Sequence, residues 1–538
     1  MLADDACSRR AQRFDTQMTR PQPEVHAEGG DGAPASTAVG ERSESAGSTA
    51  LTLLGLVAFT ALFRLPFQMD GLQGEPDTAR LVNDAIVWEA TGVRIAALSE
   101  YRYYTSPGYI WLIKELLPLA RSSGVPVASY LNGINTTVAV LMVIPMYLLF
   151  RRLGGPTAAL AGTLLLSLVP SYWLGGLYGF PSLPAMGFLV CAFVLFDRSL
   201  VEEETRWRAL SLVGVAICLM ATLLLKADFY LSAGALWGLL WFRGQLSWRN
   251  AALLCLVGGV PVAIHAAISS SLLQASPDMA RYMAGFRGTY APSSGEVWSR
   301  RHVWQLVKSM GLLTWPLFGA ACLLLLRQKR YPLLATLLAW AVVPLGFWWG
   351  VHGDSTRHHS QASAPVALGV GLLLGGARLH AWGRWAALAI VMVTNYLAFA
   401  PTENTERMSG NLAASAFRIR ARIAHYHAVT RAYAARPEPR TAFLGTYTTP
   451  YAQYAILTSA DSIVRVWPDT SLGYRAWRID YVRSGRPRSA TMVYVLRGQA
   501  LEAATAYRAA GNTVYWTQFD RMLRRSQRLS QPFPLTRF

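Results

Sequence analysis

Between Thr49 and Ala400, apolar runs about as long as a bilayer is thick follow one another, separated by short polar or basic connections. A hydrocarbon core about 30 Å deep is crossed by about 20 helical residues, and every backbone N–H and C=O inside it must be paired within the segment. Runs of that length therefore read as membrane-spanning helices. Eleven spans are expected, at residues 49–67, 127–150, 156–176, 180–197, 209–225, 228–243, 250–271, 309–326, 331–350, 362–380 and 384–400. Composition agrees, because 52% hydrophobic against 15% charged residues is not the balance of a soluble globular chain. An ordinary cytosolic enzyme is excluded.

Basic residues occupy every second connection: Arg151 and Arg152, Arg198 with Arg206 and Arg208, Arg243 with Arg249, Arg327 with Lys329 and Arg330, and Arg378 with Arg384. Short positively charged loops stay on the cytoplasmic side. The N-terminus is therefore expected inside, the loops 68–126, 272–308 and 351–361 outside, and the segment after an odd number of spans outside as well. Formal net charge is +19, an excess that would raise nucleic acid as a partner if it were concentrated on one domain. Instead, 20 arginines face 8 acidic residues over 401–538, and most of the others cap apolar runs. That layout suits membrane lipids and phosphate-bearing substrates, and no nucleic-acid partner is expected.

The expected fold is an α-helical polytopic membrane protein with surface helices after the first span and a small C-terminal α/β domain outside the membrane. Residues 1–48 are polar and aperiodic and read as a disordered cytoplasmic tail, not a secretory signal. Residues 49–400 form the membrane domain, with the surface-helix loop at 68–126. In 401–538, an amphipathic helix over 412–435 precedes strand-like runs at 441–444, 462–467, 491–496 and 513–516 and a helix at 499–510, the order of a small α/β domain. Cys191, Cys218, Cys255 and Cys322 lie in apolar runs and Cys7 in the leader, so no disulfide framework is implied.

Four segments could carry chemistry. In Gly74–Gly92, Pro76 suits the start of a helix, Glu75 and Asp77 place carboxylates at its positive end, and apolar residues at 81, 82, 85, 86 and 88 make one face greasy. Asp77, Arg80 and Asp84 share another face. The same residues equally fit a capped helix with an Arg–Asp pair in water. Tyr101–Lys114, with Tyr104 as its candidate binding residue, fits a sugar-stacking platform or an interfacial anchor alike. Lys226 and Asp228 sit at a break between apolar runs, where ionisable groups line a polar cavity or neutralise each other. The loop His352–Gln361 holds Arg357, His358 and His359, donors suited to a phosphate. No spacing there matches a metal motif, and no metal ligand is assigned.

Taken in order, these pieces resemble the polyprenyl-phosphate-sugar-dependent membrane glycosyltransferases of the C-type superfamily, which includes the aminoarabinose transferases of lipid A and the protein O-mannosyltransferases. Pro76-Asp77-Thr78-Ala79-Arg80 resembles the family's Asp-Glu-x-Arg-Tyr element after the first span, and Thr105–Trp111 its Pro-Pro-Leu-x-x-Trp stretch. Phe150–Gly155 is similar to its first cytoplasmic turn, Leu225-Lys226-Ala227 to its Thr-Lys-Gly-Pro break, and Arg357 through Pro365 to its Arg-Tyr-x-x-Pro run. Thr78 stands where the family carries a second acid, and Phe180-Pro181-Ser182 where many relatives have an Asp. These departures weigh against a divalent metal, the one cofactor the resemblance raises.

The resemblance implies a sugar moved from a polyprenyl-phosphate donor to a glycan, lipid or protein acceptor at the outer face of the plasma (inner) membrane, with inversion. Asp77 would be general base, with Glu75 second, and Arg80 or Asp84 would orient it. Lys226 and Arg357, helped by His358 or His359, would hold the leaving phosphate. The alternatives are an outer-face glycan polymerase or ligase, which would rely on exterior Arg and His without an essential acid after the first span, a lipid-linked substrate transporter, and a non-catalytic assembly subunit. Transport is disfavoured because no internal repeat is present.

Overall fold

A computed structural model describes residues 46–68, 76–92, 106–177, 179–274, 306–307, 309–352, 358–376, 380–398, 438–445, 449–469, 471–495, 499–517 and 535–537. From Ala50 onward they belong to one compact unit. The leader and the expected helix over 412–435 lie outside the described residues.

The membrane domain begins with α1 (Ala46–Leu62), followed by two helices that start on proline, α2 (Pro76–Thr91) and α3 (Pro107–Ser123). The bundle continues with α4 (Val127–Leu141), α5 (Val143–Ser167), α6 (Pro170–Gly175), α7 (Ser182–Val201), α8 (Thr205–Leu225), α9 (Ala235–Phe242), α10 (Trp248–Gln274), α11 (Thr314–Arg327), α12 (Tyr331–His352), α13 (Ser363–Gly376) and α14 (Ala381–Ala398). Among the described residues, Gly47–Phe67, Val127–Ser167, Ser182–Val201, Thr205–Leu225 and Trp248–Ser271 are long and apolar enough to cross a membrane, and Thr314–Arg327 and Tyr331–Phe347 are shorter apolar helices. The 41 residues of Val127–Ser167 reverse at Gly155, whose φ of 81° beside Pro156 breaks the helix. The expected span 228–243 is instead a 3-10 segment, Ala227–Gly234, running into the short α9. The expected span 156–176 breaks before Pro170, which opens α6.

The alternation of basic connections has a structural counterpart. Asp197, fully buried, accepts hydrogen bonds from Arg152 (2.9 Å) and from Arg243 Nε and Nη2 (2.7 and 2.9 Å), while Arg330 donates to the Leu153 carbonyl at 3.4 Å. Four connections separated by up to 177 residues therefore gather at one end of the bundle. Ser182, at the start of α7, stands about 22 Å of helix away from Asp197 at about 1.5 Å per residue, so the turns near 182, 226 and 358–362 mark the opposite end.

The centre of the bundle is α13, buried along nearly its whole length. Helices in lipid gain little from the hydrophobic effect and rely on close packing of small residues. A Cβ added at Gly371 would lie 2.3 Å from the Ala158 carbonyl oxygen and 2.9 Å from the Gly162 nitrogen, so α13 and the second half of α5 touch backbone to backbone.

The C-terminal domain is a six-stranded mixed sheet of β1 (Arg440–Gly445), β2 (Ser462–Pro468), β3 (Arg475–Arg483), β4 (Arg486–Tyr494), β5 (Thr513–Thr517) and β6 (Leu535–Arg537), in the order β2-β3-β4-β1-β5-β6. β1 runs parallel to β4 and β5, and the other pairs are antiparallel. Helices α15 (Thr449–Ser459) and α16 (Ala500–Ala509) cover it. Strand alternation sends Ala442, Leu444, Val493 and Val514 towards α16, and Phe443, Ile479, Tyr481, Met492 and Tyr515 into the apolar core shared with α15 and the membrane helices. Each of the four strand-like runs overlaps a strand, although β4 begins at Arg486 and ends at Tyr494, short of the expected Leu496, which lies outside the described residues. β3 went unread because its arginines disguise the period-2 series Trp477, Ile479, Tyr481, and the Ser484-Gly485 turn joins it to β4 with both residues at positive φ.

Gly371→Leu should force α5 and α13 apart and cost at least the roughly 1–3 kcal/mol typical of overpacking. A melting temperature in detergent within a degree of wild type would contradict the close crossing.

Candidate active site

The helix α2 was expected to lie on the membrane with one greasy face and one wet one. Instead Thr78, Ala79 and every residue from Leu81 to Val87 are buried. Beneath it lie α3 and α4, and above it the C-terminal domain presents β2 and α15. Asn83 donates to the Pro450 carbonyl at 2.8 Å, and its amide lies 3.5 Å from Gln453 Oε1, both side chains being fully enclosed. Asp84 is also fully enclosed, and the Arg80 guanidinium lies over the Tyr494 ring of β4 at 6.0 Å, so this face of α2 is not the solvated one that a surface Arg–Asp pair would occupy. Asp77 sits in the first turn of α2, where the helix dipole favours a carboxylate. Its side chain, Glu75 and Tyr104 lie outside the described residues.

The second motif segment packs onto the third. A Cβ on Gly108 would lie 2.9 Å from Leu224 Cβ and 3.1 Å from the Leu224 oxygen, so the start of α3 rests on the end of α8, two residues before Lys226. Tyr109 is fully buried; burial holds its hydroxyl protonated far above the usual phenol range, and the hydroxyl has no hydrogen-bond partner among the described residues. Trp111 points outward, consistent with an interfacial position.

Lys226 ends α8 with extended backbone angles (φ −161°, ψ 99°), which turns its side chain into the bundle. Lys226 is buried, 5% exposed, and its ammonium donates to Ser182 Oγ at 3.1 Å. It lies 4.8 and 5.1 Å from the ring centroids of Phe180 and Phe229, and 3.7 Å from Asp228 Oδ2. Two aromatic faces, a hydroxyl and the ion pair with Asp228 make a cradle that favours the charged ammonium. The turn holding Phe180 is itself fixed from below: Asn135 donates to the Phe180 carbonyl at 2.6 Å and Thr136 to the Gly176 carbonyl at 2.9 Å.

The fourth segment arrives at the same place. The 3-10 turn His358–Ala362 carries Gln361, whose Nε2 donates to Asp228 Oδ2 at 3.2 Å while its Oε1 accepts from Ser232 at 3.2 Å. His359 is buried and shares a 2.8 Å hydrogen bond between its Nδ1 and Ser309 Oγ. Arg357 and the His358 side chain lie outside the described residues. Lys226, Asp228 and the Gln361 turn are thus one polar cluster. Among the described residues, no three His, Cys, Asp or Glu side chains gather to hold a metal ion.

Sequence reasoning passed over three contributors. Gln361 and Ser182 are neutral and carry no charge signal, and Arg64, within the expected span 49–67, was not singled out. Arg64 is in fact fully buried, donates to the Trp173 and Ser167 carbonyls at 2.9 and 3.3 Å, and lies over Tyr172 at 4.7 Å. It locks α1 to the end of α5 and to α6. Beside it, Phe59, Phe63, Leu164, Leu388, Met392 and Tyr396 help line an apolar groove of about 460 Å³ between α1, α5 and α14.

No protein-family model and no curated protein matches the sequence. Among solved structures, ArnT from Cupriavidus metallidurans bound to undecaprenyl phosphate aligns with a TM-score of 0.47 at 15% identity, over 77% of this chain and 75% of that one. The Archaeoglobus fulgidus oligosaccharyltransferase tethered with an acceptor peptide aligns with a TM-score of 0.47 at 13% identity, over 76% of this chain and 63% of that one, so the chain spans under two thirds of that protein's length. A Saccharomyces cerevisiae protein O-mannosyltransferase complex bound to the sugar donor aligns with a TM-score of 0.33 at 18% identity, over 42% of this chain and 34% of that one.

Asn83→Ala removes a donor from a buried carbonyl, which costs about 1–3 kcal/mol when the carbonyl is left unpaired. The expected result is a melting temperature several degrees lower and faster tryptic release of the C-terminal domain, and wild-type behaviour in both would mean that the domain is not clamped through α2.

Proposed function

We propose that the protein is a membrane glycosyltransferase that moves a sugar from a polyprenyl-phosphate donor to a glycan, lipid or protein acceptor. The observation that carries this reading is the convergence at one end of the bundle of segments far apart in the chain. The start of α3 rests on α8 beside Lys226, and Lys226 reaches Asp228, which Gln361 holds in turn. α2, with Asp77 in its first turn, packs against α3. A cation set among aromatic rings and polar donors suits a lipid phosphate whose tail stays in the bilayer, and the groove between α1, α5 and α14 suits an isoprenoid chain.

In the proposed reaction the acceptor's O–H or N–H proton passes to the Asp77 carboxylate as the acceptor attacks the anomeric carbon. The bond from that carbon to the phosphate oxygen breaks, and the polyprenyl phosphate leaves with the electron pair, its new charge met by Lys226 and Arg357 with His358 or His359. A single displacement inverts the anomeric carbon. Glu75 is the second candidate base, Arg80 and Asp84 orient the first, and Tyr104 is the candidate platform for the sugar. The arginine-rich end then faces the cytoplasm with the N-terminus, and the site and the C-terminal domain face outward from a plasma membrane.

Asp77→Asn should abolish transfer while membrane insertion and detergent stability remain those of wild type, and full activity in that variant would remove the base assignment. Arg357→Ala should raise the donor KM by about tenfold or more, as expected for a lost charge-assisted contact worth about 1.5–3 kcal/mol, with the acceptor KM nearly unchanged; equal effects on both substrates would place Arg357 elsewhere.

A further inference from the structure

The end of the bundle that holds Asp197 carries more positive charge than its own acids can balance. Over 151–152, 197–208, 243–249 and 327–330, the described residues include ten basic side chains and four acidic ones. Asp197 is shared by Arg152 and Arg243, and Arg198 faces Glu202 at 3.7 Å. Arg206, Arg249, Arg327 and Lys329 are exposed and hold no acid among the described residues. Hydrogen bonds fix these cations at one level. Arg208 donates to Asn250 Oδ1 at 3.0 Å, joining the starts of α8 and α10, and Asn250 donates to the Gln245 carbonyl at 2.9 Å. Arg243, two residues before Gln245, reaches Asp197 beside Arg152, and Arg330 reaches the neighbouring Leu153 carbonyl. The α7–α8, α9–α10 and α11–α12 turns thus form one basic rim.

Each part of the rim has an aromatic ring beside it. The Arg206 guanidinium lies over the Trp207 ring at 5.9 Å and the Arg249 guanidinium over the Trp248 ring at 5.7 Å, while Tyr331 follows Lys329 by two residues; all three rings are exposed. Further along the same helices the exposed side chains are aliphatic, Leu210 and Ile217 on α8 and Leu256 and Val260 on α10. Cation, aromatic ring and aliphatic surface, taken from the rim towards the middle of the bundle, repeat the order of phosphate, ester level and acyl chain in a phospholipid. A headgroup that brings its own ammonium adds no net charge and leaves the basic surplus standing, whereas an anionic headgroup offsets it.

We propose that this rim is a binding surface for anionic phospholipids, with headgroup phosphates at Arg206, Arg249 and the Arg327–Lys329 turn. The surface is distinct from the cluster around Lys226 and does not depend on the transfer reaction proposed above. Bound headgroups relieve the repulsion among cations that the fold brings together, and the rings beside them hold the helix starts at the depth of the bilayer interface.

The test titrates short-chain phosphatidylglycerol and short-chain phosphatidylcholine onto the purified full-length protein in a neutral detergent. Wild type should bind phosphatidylglycerol about tenfold or more tightly than phosphatidylcholine, since each basic residue near an anionic lipid adds to the attraction. The variant Arg206→Gln/Arg249→Gln/Arg327→Gln/Lys329→Gln should bring the two affinities within about twofold of each other. A matched variant in exposed residues of the C-terminal domain, Arg440→Gln/Arg465→Gln/Arg486→Gln/Arg508→Gln, makes the same change in net charge and should keep the preference. The melting temperature in neutral detergent reports whether the rim variant is folded. If it is not, Arg206→Gln/Arg249→Gln and Arg327→Gln/Lys329→Gln take its place, each losing part of the preference. Equal binding of the two lipids by wild type, an undiminished preference in the rim variants, or an equal loss in the rim and C-terminal variants would overturn the proposal. Displacement of phosphatidylglycerol by inorganic phosphate at constant ionic strength would overturn it too, because the rim would then hold a free anion rather than a lipid.

Discussion

A lysine ammonium held at the end of an apolar helix is the constraint around which this end of the molecule is arranged. Moving a charge out of water costs several kcal/mol unless partners compensate, and Lys226 finds them on three separate stretches of chain: the Phe180–Ser182 turn, the 3-10 segment with Asp228 and Phe229, and, through Asp228, the turn bearing Gln361. Each partner is fastened in turn, Phe180 through Asn135 and Gln361 through Ser232. The opposite end solves the same problem with inverted charge, burying one carboxylate, Asp197, under two guanidiniums. Between these polar ends the bundle needs only close apolar packing, and α13 supplies it by meeting α5 through glycines.

The C-terminal domain is part of that arrangement rather than an appendage. By closing over α2 through α15 and β2, it converts a helix that would otherwise lie half in water into an enclosed element, with Asn83 and Asp84 sealed beneath it. Enclosure lowers the effective dielectric around any carboxylate or cation there and strengthens its interaction with a charge developing during reaction.

Much of the fold was legible because its signals are local. The apolar runs predicted helices, and helical segments fall in each expected interval among the described residues, although 156–176 breaks before Pro170, 228–243 opens with a 3-10 segment and 309–326 turns at Gly311. In the C-terminal domain, alternation marked four strands, while the arginines at 475, 478 and 483 hid β3. The polar groups at the site divide along the same line. Lys226 and Asp228 stood out because charge within apolar sequence is conspicuous. Gln361, Ser182 and Arg64 did not, since a neutral amide, a serine and an interfacial arginine are common on any loop.

Hydropathy and charge along the chain determined that this is a helical membrane protein with basic connections gathered at one end, because the cost of an unpaired backbone or a charge in hydrocarbon is set by each segment's own residues. Which segments meet was decided only by the tertiary structure. That Gly108 rests on Leu224, that Gln361 donates to Asp228, and that α2 is roofed by a domain more than 350 residues later in the chain all depend on contacts between distant parts of the chain. Pairings of that kind leave no periodic trace in sequence, since each requires only a small residue, an amide or an apolar face that many other partners would fit.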